Sequence, residues 1–300
     1  MSRPLLEVHQ LTKYYGATLG VTDVSFRIEE GQIMGLLGPN GAGKTTTLGM
    51  ILGVVRPTRG WIEYNCPRLP GVRYSGTLEY PGFMPAATVE STLHAWARLK
   101  RVEADEADRL IRRMGLVPHV KKRFSGLSVG LKQRVAVACA LIGSPPVLVL
   151  DEPGMGLDPA GIQDLRELLS ELAHAGHGII VSSHQLDEID RICTDIVVVK
   201  DGVVVLAGST EEIRRRGSGG LRVEVEDPVR ATGLLDEIPE VTSIRREGDV
   251  LIVTGRIGTR DVVRHLARHD IYVDGIASMA ASIEEIFVRA TRDAQNGGIV

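Results

Sequence analysis

The chain has 300 residues, of which 43% are apolar, and it carries a formal net charge of -3 with only 4% aromatic residues. This length and apolar content suffice for one large domain and a smaller one, whereas the charge and the few aromatic residues argue against a dedicated nucleic-acid-binding protein. We therefore expect no nucleic-acid partner. No stretch approaches the ~18 to 20 apolar residues that cross a bilayer, so any role at a membrane requires a separate membrane-spanning subunit.

The first part of the chain has strand patterns. Val24, Phe26 and Ile28 alternate with polar residues, and 33–37 is a continuous apolar run after a turn. Further apolar runs at 147–150, 178–181 and 196–199 alternate with helical patterns. This alternation is typical of βαβ units around a parallel sheet, and it predicts an α/β core.

Residues of about 86–145 are predicted to form a helical insert, because the chain there becomes mostly helical and charged. An ordinary solvated helical excursion is the alternative. Downstream, Asp158-Pro159 predicts a helix start, and Asp201-Gly202 predicts a tight hairpin.

Gly217-Ser218-Gly219-Gly220 is a flexible linker by composition. We therefore predict one domain over 1–216, a linker over 217–220 and a small α+β domain over 221–300. Strand, helix, strand, strand, helix and strand patterns follow each other in this last part, which suggests a split-βαβ, ferredoxin-like unit that ends in one more helix.

A glycine-rich segment with one lysine follows the run 33–37. It reads Gly38-Pro39-Asn40-Gly41-Ala42-Gly43-Lys44-Thr45-Thr46. Between a strand and a helix, this pattern is a phosphate loop. Its backbone N–H groups would surround phosphate oxygens, Lys44 would reach the β- and γ-phosphates, and the Thr45 hydroxyl would bind Mg²⁺.

Two carboxylates, Asp151 and Glu152, end the run 147–150. Adjacent residues at a strand end point in different directions, so Asp151 would hold the Mg²⁺ shell and Glu152 would deprotonate the attacking water. Without the phosphate loop, we would interpret these two residues as a solvated acidic turn. His184 follows the next apolar run and is placed to donate to a γ-phosphate, although histidines after strands otherwise serve as loop or cap residues.

The segment LSVGLKQR, Leu127 to Arg134, is named the signature segment below. Ser128 and Gly130 lie where an amphipathic helix begins, and a helix start favours an anion. Because the segment lacks a lysine placed as Lys44 is, the residues alone leave open whose phosphate it would touch. An ordinary capped core helix is the alternative.

The phosphate loop, the signature segment, VLVLDEP, GLD and SSH occur in this order. Together they resemble the nucleotide-binding subunit of ATP-binding cassette (ABC) transporters, over about residues 4–216. The resemblance implies a P-loop NTPase ABC cassette with an antiparallel β subdomain and a helical insert, plus a small α+β C-terminal domain. It also implies ATP and Mg²⁺ as ligands and a dimer in which Ser128 and Gly130 contact the partner's ATP.

Other positions follow from the same resemblance. Tyr15 matches the aromatic residue that stacks on adenine, although Tyr14 is an alternative and either tyrosine can simply pack. Asp158 matches a loop that links the two sites of the dimer, and it also suits a helix cap. Glu79 stands where most relatives have a Mg²⁺-sensing glutamine, so it is a predicted metal ligand that adds negative charge near the phosphates.

Glu79 with the following PGF and MP residues is similar to ATPases of bacterial drug and peptide-antibiotic exporters, including bacitracin-resistance types. The main hypothesis is a dimeric ATPase, a homodimer or heterodimer, that drives an integral membrane permease from the cytoplasmic face and exports a drug, peptide or lipid. A soluble ABC ATPase that remodels a cytosolic complex is the alternative. A nucleotide-binding regulatory subunit without turnover is a third hypothesis, against which Lys44, Asp151, Glu152 and His184 argue.

Overall fold

The computed structural model describes residues 3–66, 72–78, 82–183, 192–216, 220–255, 257–279 and 286. The chain forms two compact units, and the second begins at Ser209, ahead of the glycine-rich segment 217–220. Among the described helices, none combines the length and the apolar character needed to cross a membrane.

A three-stranded antiparallel sheet in the first unit contains the predicted strand at Val24–Ile28. Its strands have the order β2-β1-β4 and are β1 (Leu6–Tyr15), β2 (Thr18–Ile28) and β4 (Arg59–Tyr64). Apolar residues such as Leu6 and Val8 are buried and alternate with more exposed ones, because successive side chains of a strand point to opposite faces.

A six-stranded sheet forms the centre of the first unit, in the order β5-β6-β7-β3-β8-β9. Its strands are β3 (Ile33–Leu37), β5 (Tyr74–Thr77), β6 (Val147–Leu150), β7 (Gly178–Ser183), β8 (Asp195–Lys200) and β9 (Val203–Ser209). Four neighbouring pairs in this sheet are parallel: β5 with β6, β6 with β7, β7 with β3, and β3 with β8. Since parallel strands end at the same edge, the residues after β3 and β6 lie close to each other.

The predicted helical insert is present. Its helices are α2 (Val89–Lys100), α3 (Ala104–Arg113) and α4 (Val129–Leu141), while α1 (Lys44–Ile51) and α5 (Pro159–His174) accompany the central sheet. Side chains cap three of these helices: Thr88 forms a capping box with Ser91, and Ser128 and Asp158 cap α4 and α5. These caps supply acceptors to N–H groups that a helix start leaves without intrahelical partners.

The second unit contains helix α6 (Thr210–Arg216) and the predicted α+β elements. They are β10 (Leu221–Val225), α7 (Pro228–Asp236), β11 (Val241–Glu247), β12 (Val250–Gly255), α8 (Thr259–Ala267) and β13 (Val273–Ser278). The sheet order is β11-β12-β10-β13 and all pairs are antiparallel. The final helix predicted after Ser282 falls, apart from Ile286, outside the described residues.

The structure confirms the predicted fold class, with an antiparallel subdomain, a helical insert and a small α+β unit. Separate apolar clusters stabilise the two units: one is centred on β1, β3 and α1, the other on β10, β12 and the helices α7 and α8. Each unit therefore has its own core.

Candidate nucleotide site

The phosphate loop follows β3 directly and α1 begins at its lysine. Gly43 has φ +103°, and a Cβ there would lie 2.2 Å from Val21 Cγ1. A Cβ at Gly38 would lie 2.2 Å from the carbonyl oxygen of Val199. Only glycine fits both positions, because the first needs left-handed backbone and the second a close backbone approach.

Lys44 lies at the end of this loop, as the first residue of α1. Its side chain is nearly buried, and Nζ donates a hydrogen bond of 2.8 Å to the carbonyl oxygen of Gly38. The same Nζ lies 3.5 Å from Glu152 Oε1. The structure therefore brings the predicted phosphate-binding cation and the predicted general base together.

Asp151 and Glu152 lie at the end of β6, as the sequence predicts, and Asp151 is only 2% exposed. Thr45 Oγ1 donates a hydrogen bond of 2.9 Å to Asp151 Oδ2. Residues from the phosphate loop and from the strand end thus share one site, because β3 and β6 both pair with β7 in the same parallel sheet.

Ser182 is a site residue that the sequence analysis did not assign. It is fully buried in β7, its Oγ donates 2.5 Å to Asp151 Oδ1, and it accepts 2.9 Å from the backbone N–H of Glu152. Glu152 itself has φ +49°, a conformation that is uncommon for residues with a side chain. The sequence signal for this residue was the stretch Ser182-Ser183-His184, in which we predicted a role only for the histidine.

The predicted magnesium ligands fit a hard cation. Thr45 and Asp151 offer oxygen atoms side by side, and Mg²⁺ usually takes one or two protein oxygens and completes its shell with phosphates and water. Within the described residues, no cluster of three or more His, Cys, Asp or Glu side chains could hold a metal without such help. The donor set therefore suits a cation that arrives with a triphosphate. Glu79 and His184 lie outside the described residues.

Tyr15 and Tyr14 end β1, and their side chains are 50% and 44% exposed. A Cβ at Gly20 would lie 3.1 Å from Tyr15 Cε2, and a Cβ at Gly43 would lie 2.7 Å from the carbonyl oxygen of Gly20. Tyr15 therefore packs beside the residue that borders the phosphate loop. Lys13 Nζ lies 5.1 Å from the centre of the Tyr15 ring.

The signature segment lines a cavity that is separate from the phosphate loop. Ser128 caps α4 by accepting a hydrogen bond of 3.4 Å from the backbone N–H of Leu131. Ser128, Gly130 and Asp158 line a cavity of about 830 Å³, and no phosphate-loop residue contributes to that lining among the described residues. Asp158 also caps α5, with Oδ1 accepting 2.9 Å from the N–H of Gly161.

Fold and site together define an α/β nucleoside triphosphatase of the phosphate-loop class, with a helical insert that carries a second helix N-terminus. Comparison with known proteins narrows this class. The family model for ABC transporters matches residues 21–154. The bacitracin transport ATP-binding protein BcrA of Enterococcus faecalis is 32% identical, and the alignment covers 94% of this chain and 95% of that protein.

Two further comparisons indicate the same family. The protein of the same name from Bacillus licheniformis is 30% identical over 95% of this chain and 96% of its own length. A solved ATP-binding subunit of an ABC transporter superposes with a TM-score of 0.64 at 33% identity and covers 71% of this chain and 92% of that subunit. The chain therefore belongs to the ATP-binding subunits of ABC transporters, and it is an ATPase.

Proposed function

We propose that this chain hydrolyses Mg-ATP as one half of a dimer and thereby drives a separate integral membrane permease that exports a drug, peptide or lipid. The observation that carries the catalytic part is the cluster of Lys44, Thr45, Asp151 and Glu152 at one sheet edge. In this proposal, Gly38 to Thr46 cradle the phosphates and Tyr15 stacks on adenine.

The chemistry follows from the charges of this cluster. Thr45 and Asp151, with Glu79, would hold Mg²⁺, which neutralises phosphate charge when bound. Lys44 releases the Gly38 carbonyl and turns to the β- and γ-phosphates, which are stronger acceptors. Glu152 then loses its cationic neighbour and accepts a proton from the attacking water. The water oxygen bonds to the γ-phosphorus, the bond from that phosphorus to the β-phosphate oxygen breaks, and ADP and phosphate are released. His184 donates to the γ-phosphate as charge accumulates there.

A second subunit completes the site in this proposal. Ser128 and Gly130 line a cavity that the described phosphate-loop residues do not share, which supports contact with a nucleotide held elsewhere. The first turn of α4 presents N–H groups that suit the γ-phosphate of a partner's ATP. Closure would exclude bulk water from both sites and retain the attacking water, and hydrolysis would reopen the dimer. The partner is a second copy or a paralogue.

The nearly full-length similarity to two bacitracin transport ATP-binding proteins supports export of a peptide or drug. Docking on a permease would place the chain at the cytoplasmic face of the membrane. Met84 is 73% exposed next to Phe83, whose ring contacts Phe124 and Trp96. An exposed apolar side chain on an aromatic base suits a protein partner.

A tagged pull-down from gently solubilised membranes and from cytosol tests this proposal. A stoichiometric polytopic membrane protein is the expected partner, and Met84→Glu should reduce its recovery while leaving ATP turnover unchanged. Val229→Glu on the second unit, at an apolar position that is 66% exposed, is the matched control. Recovery of only soluble proteins from both fractions would instead support the remodelling ATPase.

A further inference from the structure

Lys100, the last residue of α2, holds a position that nucleotide binding does not explain. Its Nζ lies 2.8 Å from Ser75 Oγ and from the carbonyl oxygen of Ile142, 3.0 Å from that of Cys139 and 3.1 Å from that of Ala140. An ammonium group has only three donors, so these four acceptors share them. Lys100 is thus committed to acceptors from two other elements, β5 and the end of α4.

The acceptors at the end of α4 need such a donor. The last four carbonyl groups of a helix lack intrahelical partners, and they form the negative end of the helix dipole. Helix α4 ends at Leu141, and Ile142 leaves the helical conformation with φ -55° and ψ 128°. Gly143 follows with φ +85°, but its N–H does not return to a carbonyl group of α4. Glu106 Oε1 accepts 2.7 Å from the N–H of Gly143 and holds the next turn. Lys100 therefore closes the carboxyl end of this helix.

The same contact connects α4 to the central sheet. Ser75 is 8% exposed in β5, the strand from which the chain continues to Glu79. Helix α4 begins with Ser128 as its cap and includes Gly130. Helix α4 has 13 residues, each contributing ~1.5 Å to its length. A helix this short is stiff, so a displacement of its carboxyl end also moves its amino end.

We propose that Lys100 is a positioning residue of the ATPase: it fixes α4 against β5 and so sets where Ser128 and Gly130 stand. This inference rests on the proposed role of those two residues at the partner's nucleotide. It assigns Lys100 no contact with ATP, so its loss should affect the closed, reacting dimer and not the first binding of nucleotide.

Lys100→Met, which keeps the length of the side chain and removes its donors, is the direct test in the full chain. We expect kcat to fall about tenfold, because a displaced catalytic group loses near-attack geometry, with the Kd of a fluorescent ATP analogue without Mg²⁺ unchanged. Lys100→Arg should restore part of kcat. Arg98→Met, on the exposed side of the same helix turn, is the control and should match the wild type. An unchanged kcat in folded Lys100→Met, or an equal loss of analogue affinity, would overturn the inference.

Ser75→Ala provides a milder variant where Lys100→Met does not fold. It removes one acceptor and should lower kcat about threefold without changing analogue affinity, a partial loss of the same positioning. Wild-type kcat would overturn the inference.

Light scattering separates this inference from the proposed dimer. Absence of an ATP-dependent dimer in Glu152→Gln refutes pairing of this chain with itself, whereas an equally stable dimer after adding Lys100→Met refutes only the role of Lys100.

Discussion

At the scale of single residues, one hydroxyl group forms hydrogen bonds with both acidic residues of the site. Ser182 Oγ donates to Asp151 and accepts from the backbone N–H of Glu152. The side chain that would hold the metal and the backbone that directs the proposed base are therefore fixed by the same group. Among the described residues, Ser182 Oγ forms no hydrogen bond with Lys44 or Thr45, so we expect its effect on turnover to pass through Asp151 and Glu152.

Ser182→Ala should accordingly impair turnover more than binding. Removing one partner from buried polar groups costs about 1–3 kcal/mol, so we expect a lower melting temperature and a kcat reduced about tenfold. Steady-state kinetics and thermal unfolding measure both effects. Ser243→Ala, at an exposed position in β11, should change neither. Wild-type kcat in Ser182→Ala would mean that the carboxylates hold their positions without this hydroxyl.

At the scale of elements, the junction between the phosphate loop and α1 depends on Gly43. Its φ of +103° and the short distance from a Cβ to Val21 leave no room for a side chain. Gly43→Ala should lower ATP affinity about tenfold or more, since such backbone strain costs about 1–3 kcal/mol. Titration with a fluorescent ATP analogue measures this loss. Gly233→Ala, within α7 and with no atom within 4 Å of the added Cβ, should leave affinity unchanged.

The link between α2 and α4 predicts a dependence of stability on pH. Burial lowers the pKa of Lys100 from 10.5 to about 8, while Cys139 and Glu106 oppose this shift. Between these two pKa values the unfolded chain binds more protons than the folded chain, so the free energy of unfolding rises with pH across the window. The rise begins near pH 8 and ends near pH 10.5.

Lys100→Met lacks this titration. We expect the difference in free energy of unfolding, wild type minus variant, to grow by at least about 1 kcal/mol from about pH 7.5 to about pH 9.5. Urea denaturation followed by tryptophan fluorescence provides the measurement. A difference that stays constant would show that the folded protein leaves the pKa of Lys100 at its ordinary value.

At the scale of the whole molecule, turnover and assembly should respond to one substitution in opposite directions. Glu152→Gln removes the proposed base, which typically contributes about 10²–10⁴-fold, so ATP turnover should fall by at least about a hundredfold. ATP that is bound but not hydrolysed should then hold two copies together. Light scattering should show a dimer with ATP, and adding Ser128→Arg should abolish it.

The sequence predicted the parts of the site that are local. The glycine spacing around Lys44, the strand that ends at Asp151 and the caps at Ser128 and Asp158 are all visible within a few residues. The catalytic and binding roles of these residues, together with those of Glu79 and His184, stay predictions. The choice between Tyr14 and Tyr15 as the residue that stacks on adenine also stays a prediction; in the structure, Tyr15 packs beside Gly20.

By itself, then, the sequence determined the fold class and the order of the chemical motifs, because turn residues, caps and hydrophobic periodicity act over short distances along the chain. Only the tertiary structure decided that Ser182 joins Asp151 to Glu152 and that Lys100 closes a helix about forty residues further on. Those contacts depend on strand order and on helix packing, which bring distant residues together. Periodicity shows that a residue is buried, and it does not show which partner it meets there.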